Sequence, residues 1–167
     1  MFLRISIIFL FFFVIFVSSK VLAKEIPIII ISANKSPQSK STVGSDVSVI
    51  NEDLISNSGE YFLGDVLSEN LMGMNYFQSG GYGTVSGIQL RGLPKRYSTV
   101  YIDGVKMSDP SSSDNSYYFS NVMNSSIKNV EILRGSQSSM YGSGAIGGAI
   151  NIYTKNGDDK NLNKLAV

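Results

Sequence analysis

Residues 127–154, IKNVEILRGSQSSMYGSGAIGGAINIYT, constrain the fold more than any other stretch of the chain. Val130 and Ile132 alternate with Asn129 and Glu131, a period-2 pattern that places the two apolar side chains on one face of a strand. Arg134-Gly135 ends that strand, and Ile150 and Ile152 alternate in the same way with Asn151 and Tyr153 further on. Between the two runs, Gly142, Gly144, Gly147 and Gly148 allow a tight connection in which backbones approach closely. Two strands joined by a glycine-dense turn are therefore the nucleus around which the rest must pack.

The spacing of Gly142, Gly144 and Gly147 also spells G-x-G-x-x-G. A dinucleotide site is rejected, because that fingerprint must open a helix and be followed by an acidic residue about 20 positions later. Here it runs into β-branched AINIYT, and Asp158 and Asp159 come too early. Gly80, Gly81 and Gly83 are likewise no phosphate cradle, since no Gly-Lys-Ser/Thr follows them.

Inventory excludes further chemistry. The chain has neither Cys nor His, which removes disulfides, thiolate metal sites, Ser-His triads and imidazole bases. An exported hydrolase would have to work with scattered Asp and Glu alone, so no enzymatic activity, metal or cofactor is expected.

Residues 1–23 carry Arg4, an apolar run over residues 7–17 and Val21-Leu22-Ala23 before a polar continuation, the pattern of a cleaved secretory signal peptide. Without Arg4 and Lys20, the 14 basic residues fall to 12 against 13 acidic ones. That near-neutral balance offers no nucleic-acid footprint. Residues 24–155 are long enough for one modest core.

In KEIPIIIISANKSPQ, residues 24–38, Pro27 is followed by four isoleucines. Such a run is either a buried strand or an extended peptide that adds to the sheet edge of another protein. Its position before the polar SPQSKSTVGSD favours the second reading, so residues 24–39 are expected to be poorly ordered in the isolated chain. Val47, Val49 and Ile50 then suggest a strand, Asn51-Glu52-Asp53 the start of a short helix, and Phe62, Leu63, Val66 and Leu67 the apolar stripe of a second helix over residues 60–69. Ile88 and Leu90 lie on one face of another strand, and STVYIDGVKM from Ser98 is a strand ended by the hairpin pair Asp103-Gly104. The segment DPSSSDNSYYFSNV follows, with Tyr117, Tyr118 and Phe119 expected on an exposed loop.

Taken together, Val130-Glu131-Ile132-Leu133-Arg134-Gly135, Ser138, Tyr141-Gly142, Ala145-Ile146-Gly147-Gly148 and Ile150-Asn151-Ile152 resemble the closing signature of the plug domain of TonB-dependent outer-membrane receptors. Other segments follow the same family's order: Leu63-Gly64-Asp65-Val66-Leu67, the glycine-rich run into Leu90-Arg91-Gly92, and Val100-Tyr101-Ile102-Asp103-Gly104-Val105. Leu71-Met72-Gly73 departs from it in lacking the usual Pro. The resemblance implies an α+β fold: a small mixed sheet with short helices and glycine-rich loops, normally housed inside a 22-stranded outer-membrane β-barrel. Its expected sheet is built from residues 47–50, 88–90, 99–102 and 130–133. It further implies a TonB box at Ile28, Ile29, Ile30, Ile31 and Ser32 that meets a TonB-type energy-transducing protein. Arg91 and Arg134, at the ends of two Leu-Arg-Gly strands, become candidate latches to carboxylates on the barrel wall. Tyr82, Tyr117 and Tyr118 become candidate substrate-loop residues.

The organisation implied is a signal peptide at 1–23, box and linker at 24–45, plug at 46–155, and a turn leading into a truncated barrel at 156–167. A whole barrel would take several hundred further residues. The substrate class implied is a scarce nutrient such as cobalamin or a ferric chelate. Residues 102–122 are most similar to cobalamin-receptor plugs, with a ferric-siderophore or haem receptor as the alternative. A free-standing periplasmic binding module that borrowed the plug fold is the competing reading, separable by whether a barrel is encoded downstream.

Overall fold

A computed structural model of the chain describes residues 28–33 and 35–157. The expected signal peptide and the first residues of the linker lie outside them. Among the described residues, no helix is long and apolar enough to cross a membrane.

The chain opens with two short strands, β1 (Ile29–Ile30) and β2 (Gln38–Ser39), paired antiparallel. Strand β3 (Asp46–Asn51) leads into helix α1 (Glu52–Asn57), and helix α2 spans Leu63–Asn70. A hairpin of β4 (Met74–Gln78) and β5 (Ser86–Leu90) follows, then β6 (Ser98–Ile102) and β7 (Val105–Met107). Strand β8 (Ile127–Arg134), the one-turn helix α3 (Ser138–Tyr141) and β9 (Gly148–Thr154) complete the domain. The main sheet has the order β3-β8-β9-β6-β7. Its β6–β9 pair is parallel and the others antiparallel, so the sheet is mixed, as the sequence implied.

Two expectations about the strands and helices are corrected. Residues 88–90 do not join the main sheet; they pair with β4 in a separate two-stranded sheet that packs beneath α2. The partner strand was hidden because Met74 and Tyr76 alternate with polar Asn75 but run into Phe77, which blurs the period. The second helix also starts at Leu63 rather than at residue 60. Phe62 bridges Met123, the Leu63 N–H donates to the Val122 carbonyl at 2.9 Å, and Asn124 Nδ2 donates to the Glu60 carbonyl at 2.7 Å. These bonds hold residues 60–62 extended, because their polar groups are already engaged across the chain.

Both faces of the main sheet are covered. On one, Ile50, Val130, Ile132, Ile150, Ile152 and Val100 pack against Leu63, Val66 and Leu67 of α2, all three of which are fully buried. Each such side chain contributes about 1.5–3 kcal/mol by leaving water. Phe119, expected on an exposed loop, is also buried in this layer. It is the largest apolar group of its segment, and a short 3-10 turn at Phe119–Asn121 directs it inward. On the opposite face, Val47, Leu133, Ala149, Ala145 and Tyr141 form a second cluster, with Ile30 from the N-terminal segment at its centre. The β6–β7 turn uses Asp103 and Gly104, both with positive φ, as a two-residue hairpin of type I′ demands.

Candidate functional site

The site is built on the second face, in a row that crosses the sheet. Register places Val49 opposite Glu131, Glu131 opposite Asn151, and Asn151 opposite Tyr101. Alternation along β8 sends Glu131 to the side away from Val130 and Ile132. On sequence pattern alone that side would face solvent, yet Glu131 is only 1% exposed.

What covers it is the isoleucine segment. The main chain runs back across the sheet, held by the β1–β2 pairing and by the Lys40 N–H donating to the Ile28 carbonyl at 2.8 Å. Ile30 is fully buried among Val47, Leu133 and Ala149. The next two amides then point into the Glu131 carboxylate. The Ile31 N–H donates at 3.1 and 3.3 Å to its two oxygens, and the Ser32 N–H at 2.8 Å to Oε2. The Ser32 carbonyl accepts from the Tyr141 hydroxyl at 2.5 Å. Tyr141 is fixed in turn by the Tyr101 hydroxyl, which donates to its carbonyl at 3.3 Å, and by an edge-on contact between the two rings. A buried carboxylate is strongly disfavoured unless hydrogen-bonded. Here the N-terminal segment supplies those bonds through the Ile31 and Ser32 amides.

The segment was expected to be loose; the structure instead buries Ile30, Ser32 and Ala33 of it against the domain. The physical reason is that Ile30 finds an apolar slot and Ile31 and Ser32 find an acceptor, neither of which is visible within the segment itself. Ile28, Ile29 and Ile31 remain 49%, 60% and 42% exposed. Beside them lies a cavity of about 560 Å³ lined by Lys35, Tyr101, Asp103, Asn151 and Tyr153, among others.

Three tyrosines are displaced toward higher pKa. Burial raises Tyr153, helped by the negative charges of Glu131 and, more weakly, Asp103. Burial also raises Tyr141, opposed by a hydrogen bond from Asn151, and burial alone raises Tyr117. A folded-state pKa above the unfolded value means that stability is intact below pH about 10 and lost as the pH rises beyond it. Ultraviolet titration of the full chain is therefore expected to show a group of tyrosines ionising only well above pH 10, together with alkaline loosening of the N-terminal segment. Ionisation of all nine tyrosines in one transition near pH 10 would contradict this environment.

Arg91 and Arg134 come together on one carboxylate inside the chain. Arg91 Nη2 lies 2.6 Å from Asp46 Oδ2, while Arg134 Nη1 lies 3.4 Å from Asp46 Oδ1 and 2.8 Å from Ser48 Oγ. Asp46 is half exposed, so the pair contributes little to stability. Arg134 Nε is buried without an acceptor among the described residues. Tyr82, Tyr117 and Tyr118 sit on different supports. Tyr82, 75% exposed, stacks on Phe62 at 5.0 Å; Tyr117 meets Phe119 edge-on; Tyr118 lies under Lys95 Nζ at 4.6 Å. Sequence reasoning missed Glu131, Tyr141 and Asp46. The available signal for Glu131 was a carboxylate set within the apolar run Val130, Ile132 and Leu133.

A small mixed sheet carrying an N-terminal peptide on one face and glycine-rich loops at its ends defines a plug, and residues 39–149 match the TonB-dependent Receptor Plug Domain family. The chain belongs to that family. It is 33% identical over 127 residues to the Vitamin B12 transporter BtuB of Photobacterium profundum and 32% identical over 126 residues to that of Vibrio vulnificus. These alignments cover 76% and 75% of the chain but 20% of each relative, so the chain spans about a fifth of their length. Among solved structures, the ferric yersiniabactin uptake receptor FyuA from Yersinia pestis matches with a TM-score of 0.50 at 30% identity, over 67% of this chain and 17% of that one. The alcaligin outer membrane receptor FauA from Bordetella pertussis matches with a TM-score of 0.61 at 24% identity, over 77% and 21%. The last supports the fold alone.

Proposed function

We propose that the chain is the plug of an outer-membrane transporter that takes up a scarce nutrient, with residues 28–32 as the segment grasped by a TonB-type partner. The observation that carries this reading is the way the segment is held. Its attachment combines one buried isoleucine with a few main-chain hydrogen bonds, while three other isoleucines stay exposed for a partner to cover. Strand addition by the partner would compete for the same main-chain groups and convert a pull on the N-terminus into force on the plug. In this reading residues 1–23 are the export signal, 24–45 the box and linker, and 46–155 the plug, with barrel sequence following from 156. No chemistry on the substrate is involved. Arg91 and Arg134, with the spare Nε of Arg134, would also face acceptors on the enclosing barrel, and Tyr82, Tyr117 and Tyr118 would line the substrate side.

Cobalamin is the preferred substrate class, supported by the two transporters of that name at 33% and 32% identity. A ferric chelate is the second reading, favoured by the 30% identity to the yersiniabactin receptor. Position 29 gives the cleanest test, because its side chain is exposed whereas Ile30 is buried. In a full-length receptor containing this plug, Ile29→Pro removes one donor and restricts Ile28, while Ile29→Val keeps both donor and shape. Labelled cobalamin should bind the surface of cells carrying either variant, with uptake at least tenfold lower for the proline variant and near parental for valine. Parental uptake by the proline variant would refute strand addition here. Surface binding of a ferric chelate in place of cobalamin would transfer the reading to the second class.

A further inference from the structure

A different feature lies at the open edge of the main sheet. Met107 pairs with Val100 and β7 ends there, so Ser98 and Thr99 have no neighbouring strand on that side. The space beside them is a cleft of about 490 Å³, bounded by Arg96, Lys106, Asp114 and Tyr117 and floored by Ser98 and Thr99. Thr99 is only 5% exposed, and among the described residues its hydroxyl has no hydrogen-bond partner. Buried hydroxyls are normally satisfied, so an orphan beside the cleft, on the same side as Gly144, points to a missing acceptor.

The charges agree. Arg96 stacks on the Tyr97 ring at 4.8 Å and donates to the Tyr97 hydroxyl at 3.2 Å, which holds the guanidinium in place without neutralising it. Among the described residues, neither Arg96 nor Lys106 has a carboxylate within ion-pair distance. Asp114 is a carboxylate of the cleft wall, but it is already engaged. Its Oδ1 accepts from the Ser112 and Ser116 hydroxyls and from the Ser116 N–H, and its Oδ2 lies 3.7 Å from Lys95 Nζ. Those hydroxyl and amide donors hold the Asp114 carboxyl well below the usual carboxylate range. Gly144 keeps the approach open, since a Cβ there would stand 3.1 Å from Thr99 Oγ1. The cleft thus combines two cations that lack a carboxylate partner among the described residues with one hydroxyl donor that lacks an acceptor.

We infer that this cleft binds an oxyanion, the carboxylate or phosphate group of a small molecule, with Arg96 and Lys106 supplying charge and the Thr99 hydroxyl donating to one of its oxygens. The inference stands whether or not the transport reading holds, because it concerns binding by this chain alone. Isotope-labelled full chain should be titrated with sodium phosphate and, separately, sodium acetate, against sodium chloride at matched ionic strength, following amide resonances. Saturable shifts are expected at Ser98, Thr99, Ser143 and Gly144 with phosphate or acetate, and the two arms distinguish phosphoryl from carboxylate preference. The pair Arg96→Gln and Lys106→Gln should weaken that binding at least tenfold. Thr99→Val, which matches threonine in shape and removes only an unsatisfied hydroxyl, should weaken it about threefold while the spectrum elsewhere stays native. Shifts that fail to saturate, that chloride reproduces, or that persist unchanged in the double variant would overturn the inference.

Discussion

Replacing Gly148 by alanine is expected to destabilise the full chain by about 3 kcal/mol, at the upper end of what overpacking ordinarily costs. Gly148 opens β9 between two partners, opposite Arg134 of β8 and Ser98 of β6. Its φ is +154°, and a Cβ would stand 2.3 Å from the Leu133 carbonyl oxygen and 2.8 Å from Leu90 Cδ1. The Leu90 methyl could rotate away, but the carbonyl belongs to the β8 backbone beside β9. Moving it would disturb the ladder that carries Glu131 as well. Gly157→Ala is the control, because nothing lies within 4 Å of a Cβ there and no positive φ is involved. Urea unfolding of both variants should show a large drop in midpoint for the first and a change within ~0.5 kcal/mol for the second. A loss under ~1 kcal/mol for Gly148→Ala would mean that the β8–β9 junction relaxes more freely than close packing implies.

The second large effect is expected at Glu131. In Glu131→Ala, the Ile31 and Ser32 N–H groups lose a charged acceptor, and hydrogen bonds to charged groups are each worth about 1.5–3 kcal/mol. Amide exchange at these two residues should accelerate about 30-fold or more, since each 1.4 kcal/mol is a factor of ten. Glu131→Gln retains shape and one acceptor oxygen but loses the charge, so a smaller acceleration, about fivefold, should follow. Tyr141→Phe removes the bond to the Ser32 carbonyl and should resemble the glutamine variant, because a single neutral bond nets about 1 kcal/mol. Exchange in the separate β4–β5 hairpin and in β9 serves as the internal reference for an intact fold. If Ile31 and Ser32 exchange at parental rates in Glu131→Ala while β9 stays protected, the carboxylate does not hold the segment.

These two residues also divide what was legible in the sequence from what was not. Alternation at Val130, Ile132, Ile150 and Ile152, the Asp103-Gly104 turn, and the stripe at Leu63, Val66 and Leu67 are local signals. Each reports the periodicity of its own element, so strands, turn and helices emerged near their observed places. The plug family was legible for a related reason, because its signature is a contiguous run of residues read in order. Partner choice is another matter. Whether Ile88 and Leu90 pair with β4 or join the main sheet depends on a strand whose pattern is weak. Which face of β8 is wet depends on a peptide about 100 positions earlier in the chain. Sequence by itself determined that Glu131 points away from the Val130–Ile132 face and that the isoleucine run seeks an apolar or strand-like environment. Only the tertiary structure decided that the two needs meet, because Ile30 fills the slot above Leu133 and thereby places the amides of Ile31 and Ser32 on a carboxylate that would otherwise have to remain in water.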